Sequence, residues 1–411
     1  MSINTDNLAG QEVTLKSVFS DYLAKIKAGD IGALPAFLGL ISLGIVFTFS
    51  SQFFLTARNM ANLLTQAAPV IVIAMGLVFV LLLGEIDLSA GFASGVCGAT
   101  LVLLISSHHW PWYAALFASI VVGVGLGWIM GTLVARLRIP SFVVTLSAFL
   151  AFQGVLLLMA GEGGTILLQD RFIIATENNN LTPIVSWFFT IIGLAIYIGM
   201  GLNRILHLRR NNLKAELFKI WVLKNSAFAI IGIGATFVLN EQRGNPPNSS
   251  IKGIPIVVPI LLAILIIGTF VLNRTVFGRQ LYAVGGNAEA ARRAGINVRR
   301  VRTLAFMICS GLAAIAGMLF ASISNSISPT TGGGTTLLYA VGAAVIGGTS
   351  LFGGKGKLRD AILGGLVVAI INNGMGLLGF SSGTQYLVTG GVLLISASVD
   401  ALSRKGANIP N

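Results

Sequence analysis

The chain has 411 residues, of which 55% are hydrophobic and only 10% are charged, and its mean hydropathy is +0.86. An ordinary soluble domain carries about 25% charged residues, so this composition excludes a soluble globular protein and indicates a polytopic membrane protein. The net charge of +13 does not indicate nucleic-acid binding, because the Lys and Arg residues are dispersed in short clusters between apolar segments. We therefore expect an all-α transmembrane helix bundle.

The first 33 residues are predicted to form a cytoplasmic tail. Residues 14–27 place apolar side chains at helical spacing with lysines and Asp21 on other faces, which predicts an amphipathic helix on the membrane surface. The tail has no apolar core followed by a small-residue cleavage site, so the first hydrophobic run is expected to remain as an uncleaved anchor. Residues 403–411 are predicted to form a second cytoplasmic tail.

Residues 34–402 are predicted to form the transmembrane domain. A helix needs about 20 apolar residues to cross a bilayer core, and several of the apolar segments are shorter, so we expect 10 to 12 spans. The twelve candidate spans lie near 34–54, 67–83, 89–106, 112–135, 140–160, 183–203, 225–240, 255–273, 303–324, 335–350, 361–379 and 384–402.

The distribution of basic residues predicts the orientation, since cytoplasmic loops retain positive charge. With both termini in the cytoplasm, the external segments hold only Arg58, Arg171, Arg243 and Lys252, and all other Lys and Arg residues lie inside. The opposite orientation would invert this rule.

Glycine repeats every fourth position in VVGVGLGWIMG, at Gly123, Gly127 and Gly131. Small faces of this kind let helices in lipid approach closely. The pattern favours tight static packing, and a moving helix interface is the alternative.

We expect neither a metal site nor a cofactor in this chain. Cys97 and Cys309 lie inside apolar runs, where a thiol is usually a small packed hydrophobe. His108 and His109 have no nearby carboxylate or thiol, and the adjoining Trp residues suit an interfacial aromatic belt.

The stretch GEIDLSAG places Glu85 and Asp87 between two apolar runs. Their spacing does not put both carboxylates on one helical face. Asp87 or Ser89 can cap the following helix, and Gly84 and Gly91 can loosen the backbone. The stretch therefore predicts a polar helix break at an internal turn, and a re-entrant position beside a translocation path is the alternative.

The largest polar interruption late in the chain is the basic loop 274–302. Asn287 can cap a short helix there, Glu289 suits its positive N-terminal end, alanines can propagate it and Gly295 can end it. Such a helix is typical of a docking element for a soluble partner, whereas an ordinary basic loop would not require this order of residues.

The sequence resembles the membrane permeases of bacterial ABC importers for monosaccharides, the ribose, arabinose and xylose group. The resemblance extends from about residue 55 to the C-terminus. The similar stretches are EIDLSAG at 85–91, PSFVVTLSAFLAFQG at 140–154, FGRQLYAVGGNAEAARRAGINV at 277–298, VIGGTSLFGGKG at 345–356 and NNGMGLLG at 372–379.

The resemblance implies a multi-pass subunit of the bacterial inner or plasma membrane, in contact with membrane lipid. Its implied partners are a second permease copy in a homodimer, a cytoplasmic ATPase and a periplasmic or lipid-anchored sugar-binding protein. It also implies an ATPase-coupling helix in the loop, with the expected contact residues Gly285, Gly286, Asn287, Glu289, Ala290, Arg292, Arg293, Gly295 and Ile296.

ATP and Mg²⁺ are expected to bind the partner ATPase, so the chain is not an enzyme by itself. A P-loop reads G-x-x-x-x-G-K-[ST]. The nearest approach, GGTSLFGGKGK at 347–357, has Thr349 in place of the first Gly and Gly356 in place of Ser or Thr.

D-xylose is the predicted cargo, with ribose, arabinose or another sugar as alternatives. The chain resembles the xylose branch in an extra segment of about 183–252, a predicted two-span insertion, and in LNEQRG at 239–244. An ion-coupled secondary transporter is less favoured, since only Glu85 and Asp87 approach the buried carboxylates that it would use.

Four intramembrane amides are candidates to line the sugar path, because an amide in hydrocarbon is costly unless it faces a cavity or a partner. They are Gln153, Asn325, Asn372 and Asn373. Interhelical hydrogen bonding is an equal alternative for all four.

Overall fold

The structure is a computed structural model that describes residues 32–161, 164–211, 218–244 and 250–407. The amphipathic helix predicted over residues 14–27 lies outside the described residues. Fifteen helices and two short strands make up the regular structure of the described ranges. They are α1 Leu34–Ser50, α2 Ala57–Leu81, α3 Ala90–Ser106, α4 Trp112–Arg136, α5 Ser141–Ala160, β1 Ile166–Leu167, α6 Arg171–Asn178, α7 Pro183–Arg210, α8 Phe218–Leu239, α9 Val257–Arg274, α10 Val276–Gly286, α11 Ala288–Arg293, α12 Val298–Ser324, β2 Ser326–Ile327, α13 Thr336–Ile346, α14 Leu358–Leu377 and α15 Ser382–Ala407.

The all-α prediction is confirmed, and each of the twelve predicted spans overlaps one helix. Within the described residues, eight helices are long and apolar enough to cross a membrane: α2, α4, α5, α7, α8, α9, α12 and α14. The helices α1, α3 and α13 are apolar but shorter. The chain is therefore a multi-pass membrane protein.

Helix α2 begins earlier than its apolar run predicts, at Ala57 instead of about residue 67. The Thr56 side chain caps this end by accepting a hydrogen bond from the Asn59 N–H at 3.3 Å. Polar side chains in the first turns interrupt the hydrophobic pattern but not the helix, so hydropathy alone misses them.

The chain divides into two compact units. One includes Leu181–Ile254 and contains α7 and α8, which are joined by a 2.6 Å contact between the hydroxyls of Thr190 and Thr236. The segment 183–252, predicted as a two-span insertion, lies in this unit. The other unit comprises Gly32–Asn180 and Pro255–Ala401 and holds every feature of the candidate site.

Helix α12 is the centre of the larger unit and packs against α2, α3 and α4. The glycine ladder of α4 faces it: a side chain at Gly123, Gly127 or Gly131 would collide with the α12 backbone. The absence of side chains therefore sets the close approach of these two helices.

Candidate functional site

The chain leaves helical geometry between α2 and α3, as the GEIDLSAG stretch predicts. Gly84 has a φ of +74°, which favours glycine, and Asp87 and Ser89 are fully buried. The Asp87 carboxylate accepts hydrogen bonds from the Ser89 N–H at 2.9 Å and from the Ser89 hydroxyl at 2.6 Å. Ser89 occupies the N-cap position of α3, but its side chain makes no capping bond. The Asp87 carboxylate, not the Ser89 hydroxyl, therefore stabilises this turn.

Glu85 in the same break pairs with Arg302 of α12. Glu85 Oε1 lies 3.1 Å from Arg302 Nε, and the two side chains are only 14% and 28% exposed. The first turn of α5 holds the same segment, because the Ile86 N–H donates to Ser141 Oγ and Thr145 Oγ1 donates to the Ile86 carbonyl. The break is thus fixed to two neighbouring helices and is not a free loop.

The short helix predicted after Asn287 is confirmed as α11. Asn287 Oδ1 accepts a hydrogen bond from the Ala290 N–H at 2.9 Å, and Gly295 follows the helix with a φ of +83°. Glu289 Oε1 accepts hydrogen bonds from Arg292 Nη2 at 2.8 Å and from Arg293 Nε at 3.3 Å. The Arg292 hydrogen bond, opposed by a smaller desolvation effect, holds the pKa of Glu289 below its ordinary value. All three charged side chains are exposed.

The helix break, the C-terminal end of α10 and the glycine-rich connection between α13 and α14 meet at one place. The Gly354 N–H donates to the Leu82 carbonyl at 2.9 Å, and the Tyr282 hydroxyl donates to the Gly356 carbonyl at 2.7 Å. A side chain at Gly285 would collide with the Leu82 carbonyl. Three stretches that are distant in sequence thus form one packed junction at the end of the bundle that carries α11.

A cavity of about 590 Å³ lies beside this junction. Its lining includes the carboxylates of Glu85 and Glu289, together with Arg138, Arg292 and Arg302. The cavity therefore connects the surface of α11 with the ion pair at the helix break.

The four candidate path residues do not form one cluster. Asn373 of α14 and Asn59 of α2 exchange two amide hydrogen bonds, at 2.8 and 2.9 Å. Asn373 therefore makes interhelical hydrogen bonds, and its partner Asn59 was missed because it precedes the predicted span. Asn372 lies beside Tyr339 of α13.

The other two candidates lie on different elements. Asn325 ends α12 in the left-handed conformation, with a φ of 52°, and its carbonyl accepts the Leu168 N–H at 2.9 Å. Gln153 is half-buried on α5. The structure thus places Asn325 at the end of the bundle opposite α11.

That opposite end holds a buried glutamate that sequence reasoning missed. Glu177 on α6 is 5% exposed, and neither carboxyl oxygen has a hydrogen-bond partner within the described residues. Helix α6 lies outside the membrane-spanning helices and is held to α12, since the Glu177 N–H donates to Ser322 Oγ at 3.1 Å. Burial raises the pKa of Glu177 to about 9, so the carboxyl group is neutral at pH 7.

Within the described residues, no three His, Cys, Asp or Glu side chains lie close enough together to hold a metal ion. Cys97 and Cys309 are buried free thiols.

The helices, the polar break and the capped, exposed helix α11 define a polytopic α-helical membrane protein. The model of a family described as branched-chain amino acid transport system, permease component, matches residues 59–397. The chain therefore belongs to this family of transport-system permeases.

Known sugar permeases are among the relatives of this chain. The chain is 32% identical to the xylose transport system permease protein XylH of Escherichia coli over 397 residues, which cover 96% of this chain and 98% of the relative. It is 34% identical to XylH of Haemophilus influenzae, over 90% of this chain and 97% of that protein. It is 29% identical to the ribose import permease protein RbsC of Escherichia coli, over 88% and 91%. No solved structure matches the chain.

Proposed function

We propose that this chain is the permease subunit of an ABC importer of monosaccharides in a bacterial inner or plasma membrane, with D-xylose as its cargo. The observation that carries the proposal is the near full-length similarity to xylose permeases. The identity to the two xylose permeases is 32% and 34%, against 29% to a ribose permease. The higher identity favours xylose over ribose.

The proposed partners are a cytoplasmic ATPase, an external sugar-binding protein and a second copy of this chain. ATP and Mg²⁺ belong to the ATPase. In this arrangement both termini and α11 face the cytoplasm, and the residues from Gly285 to Ile296 form the ATPase contact. The exposed position of Glu289, Arg292 and Arg293 supports this assignment.

The ion pair between Glu85 and Arg302 supplies a route from the proposed ATPase contact to the bundle core. Arg302 lies in the first turns of α12, shortly after α11, and pairs with Glu85 in the segment that leads into the buried helix α3. A displacement of α11 is therefore transmitted to the helix break. ATP binding inside and binding-protein docking outside shift the chain between its access states. Each can do so only because it has different affinities for those states. Gln153, Asn325, Asn372 and Asn373 remain the proposed lining of the sugar path.

The test reconstitutes the chain in proteoliposomes with the ATPase and the sugar-binding protein of the same organism. Uptake of labelled xylose, ribose and arabinose is measured with ATP and with a non-hydrolysable analogue. We expect ATP-dependent uptake in which xylose exceeds the other sugars. A preference for ribose or arabinose would replace the cargo assignment, and uptake by the chain without its ATPase would contradict the importer.

A further inference from the structure

A second cavity, of about 570 Å³, lies between the C-terminal half of α4 and the N-terminal turns of α12. The two helices approach closely there, because Gly131 leaves room for Thr303, whose hydroxyl donates to the Gly131 carbonyl at 3.3 Å. The cavity opens beside this contact, and the junction at the helix break does not include it.

Positive charge in this cavity is uncompensated. Arg136, Arg299 and Arg300 line it, and its lining includes no carboxylate. Each of the three arginines is exposed, and none forms an ion pair within the described residues. The neighbouring cavity shares Arg299 but has two glutamates, Glu85 and Glu289, in its lining, whereas Arg136 and Arg300 do not line it. Three arginines in the lining of one cavity favour an anionic ligand with several acceptor oxygens, such as a phosphate group.

The same cavity has an apolar side. Trp128 is 52% exposed and lines the cavity together with Leu304 and Met307. These residues lie on the stretches of α4 and α12 that run into the apolar spans, whereas Arg136, Arg299 and Arg300 lie at the helix ends. A tryptophan beside basic helix ends is typical of the membrane interface. The ligand that matches both sides has an anionic head and an apolar tail.

We propose that this cavity binds the headgroup of an anionic phospholipid, with its acyl chains along Trp128, Leu304 and Met307. A free phosphate ion or an acidic protein segment would satisfy the arginines but would leave the apolar side unused. Basic pockets between transmembrane helices are recognised by anionic lipids elsewhere. The site holds whether or not the cargo is xylose, and a bound lipid would bridge α4 and α12 beside their glycine contact.

The test titrates the purified full-length protein with phosphatidylglycerol and with zwitterionic phosphatidylethanolamine, and counts bound lipids by native mass spectrometry. The test variant combines Arg136→Gln, Arg299→Gln and Arg300→Gln. The matched control combines Arg204→Gln, Arg210→Gln and Lys219→Gln, which removes the same charge from exposed positions that do not line the cavity. Arg300→Gln alone serves if the triple variant does not fold.

We expect one preferred phosphatidylglycerol molecule on the wild-type protein and on the control. Its affinity should fall about fivefold for each arginine removed from the cavity. Equal losses in the test variant and the control, or no preference for the anionic lipid, would overturn the proposal. Inorganic phosphate and short-chain phosphatidylglycerol form two further arms. Competition by phosphate alone, or affinity independent of acyl length, would identify an anion site without a lipid and would also overturn it.

Discussion

Glu85 and Arg302 form an ion pair across 3.1 Å that joins the break before α3 to the beginning of α12. Either charge would be unfavourable in its position without the other, because a largely buried charge is costly without a partner. Within the described residues, Glu85 is the only carboxylate of the break that pairs with a cation. Its partner Arg302 lies in the segment that follows α11. In the proposed function, this pair links the ATPase contact to the core.

Removing one member of this pair should impair both stability and transport. Glu85→Gln leaves Arg302 half-buried without its partner, at a cost of about 1–3 kcal/mol. We expect a lower melting temperature and slower ATP-driven uptake. The double variant with Glu85→Arg and Arg302→Glu should recover part of both losses. Arg359→Gln, at an exposed position, is the control. Losses in the double variant that equal the sum of the losses from Glu85→Arg alone and Arg302→Glu alone would show that the pair is not coupled.

The junction beneath α11 depends on the close approach of Gly285 to the Leu82 carbonyl. Gly285→Ala forces these backbones apart and should destabilise the protein by about 1–3 kcal/mol, with slower uptake per ATP hydrolysed. Gly286→Ala is the matched control for packing, because nothing lies within 4 Å of its added methyl group. The measurement that compares the two variants is thermal unfolding, since both glycines belong to the proposed ATPase contact. Equal behaviour of the two variants would contradict a packed junction.

Local features of the fold were predictable from the sequence, and its long-range pairings were not. The α11 helix follows from Asn287 and Gly295, which act within one turn of the chain. The break after α2 follows from polar residues between apolar runs. The pairing of Glu85 with Arg302 depends on how the helices pack, and one sequence without an alignment carries no signal for that packing.

The missed residues show the same limit. Asn59 lies before the apolar part of α2, so hydropathy placed it outside a span, yet the helix continues through it and brings it to Asn373. Glu177 stands in the polar stretch ATENNN, which is typical of an exposed loop, and only the packing of α6 on α12 buries it.

The amide pair between Asn59 and Asn373 separates the two interpretations of Asn373. As an interhelical hydrogen-bonding residue, Asn373→Ala should lower stability by about 1–3 kcal/mol, and Asn59→Ala combined with it should cost less than the sum of the single variants. Asn372→Ala should have a smaller effect on thermal unfolding. An unchanged melting temperature for Asn373→Ala with altered sugar selectivity would instead favour a path-lining role.

Glu177 predicts a pH dependence of stability. Its pKa is about 9 in the folded protein against an ordinary value of 4.5, so the folded state binds the extra proton between these values. The contribution of the neutral Glu177 carboxyl group to stability is therefore fully present below about pH 4.5 and is lost as the pH rises towards about 9. Glu177→Gln keeps the neutral shape and should remove this loss, so its melting temperature should exceed that of the wild type increasingly from about pH 6 to about pH 9. Glu241→Gln, at an exposed position, should follow the wild type. If the melting temperatures of Glu177→Gln and the wild type changed in parallel with pH, the result would contradict a buried neutral carboxyl group.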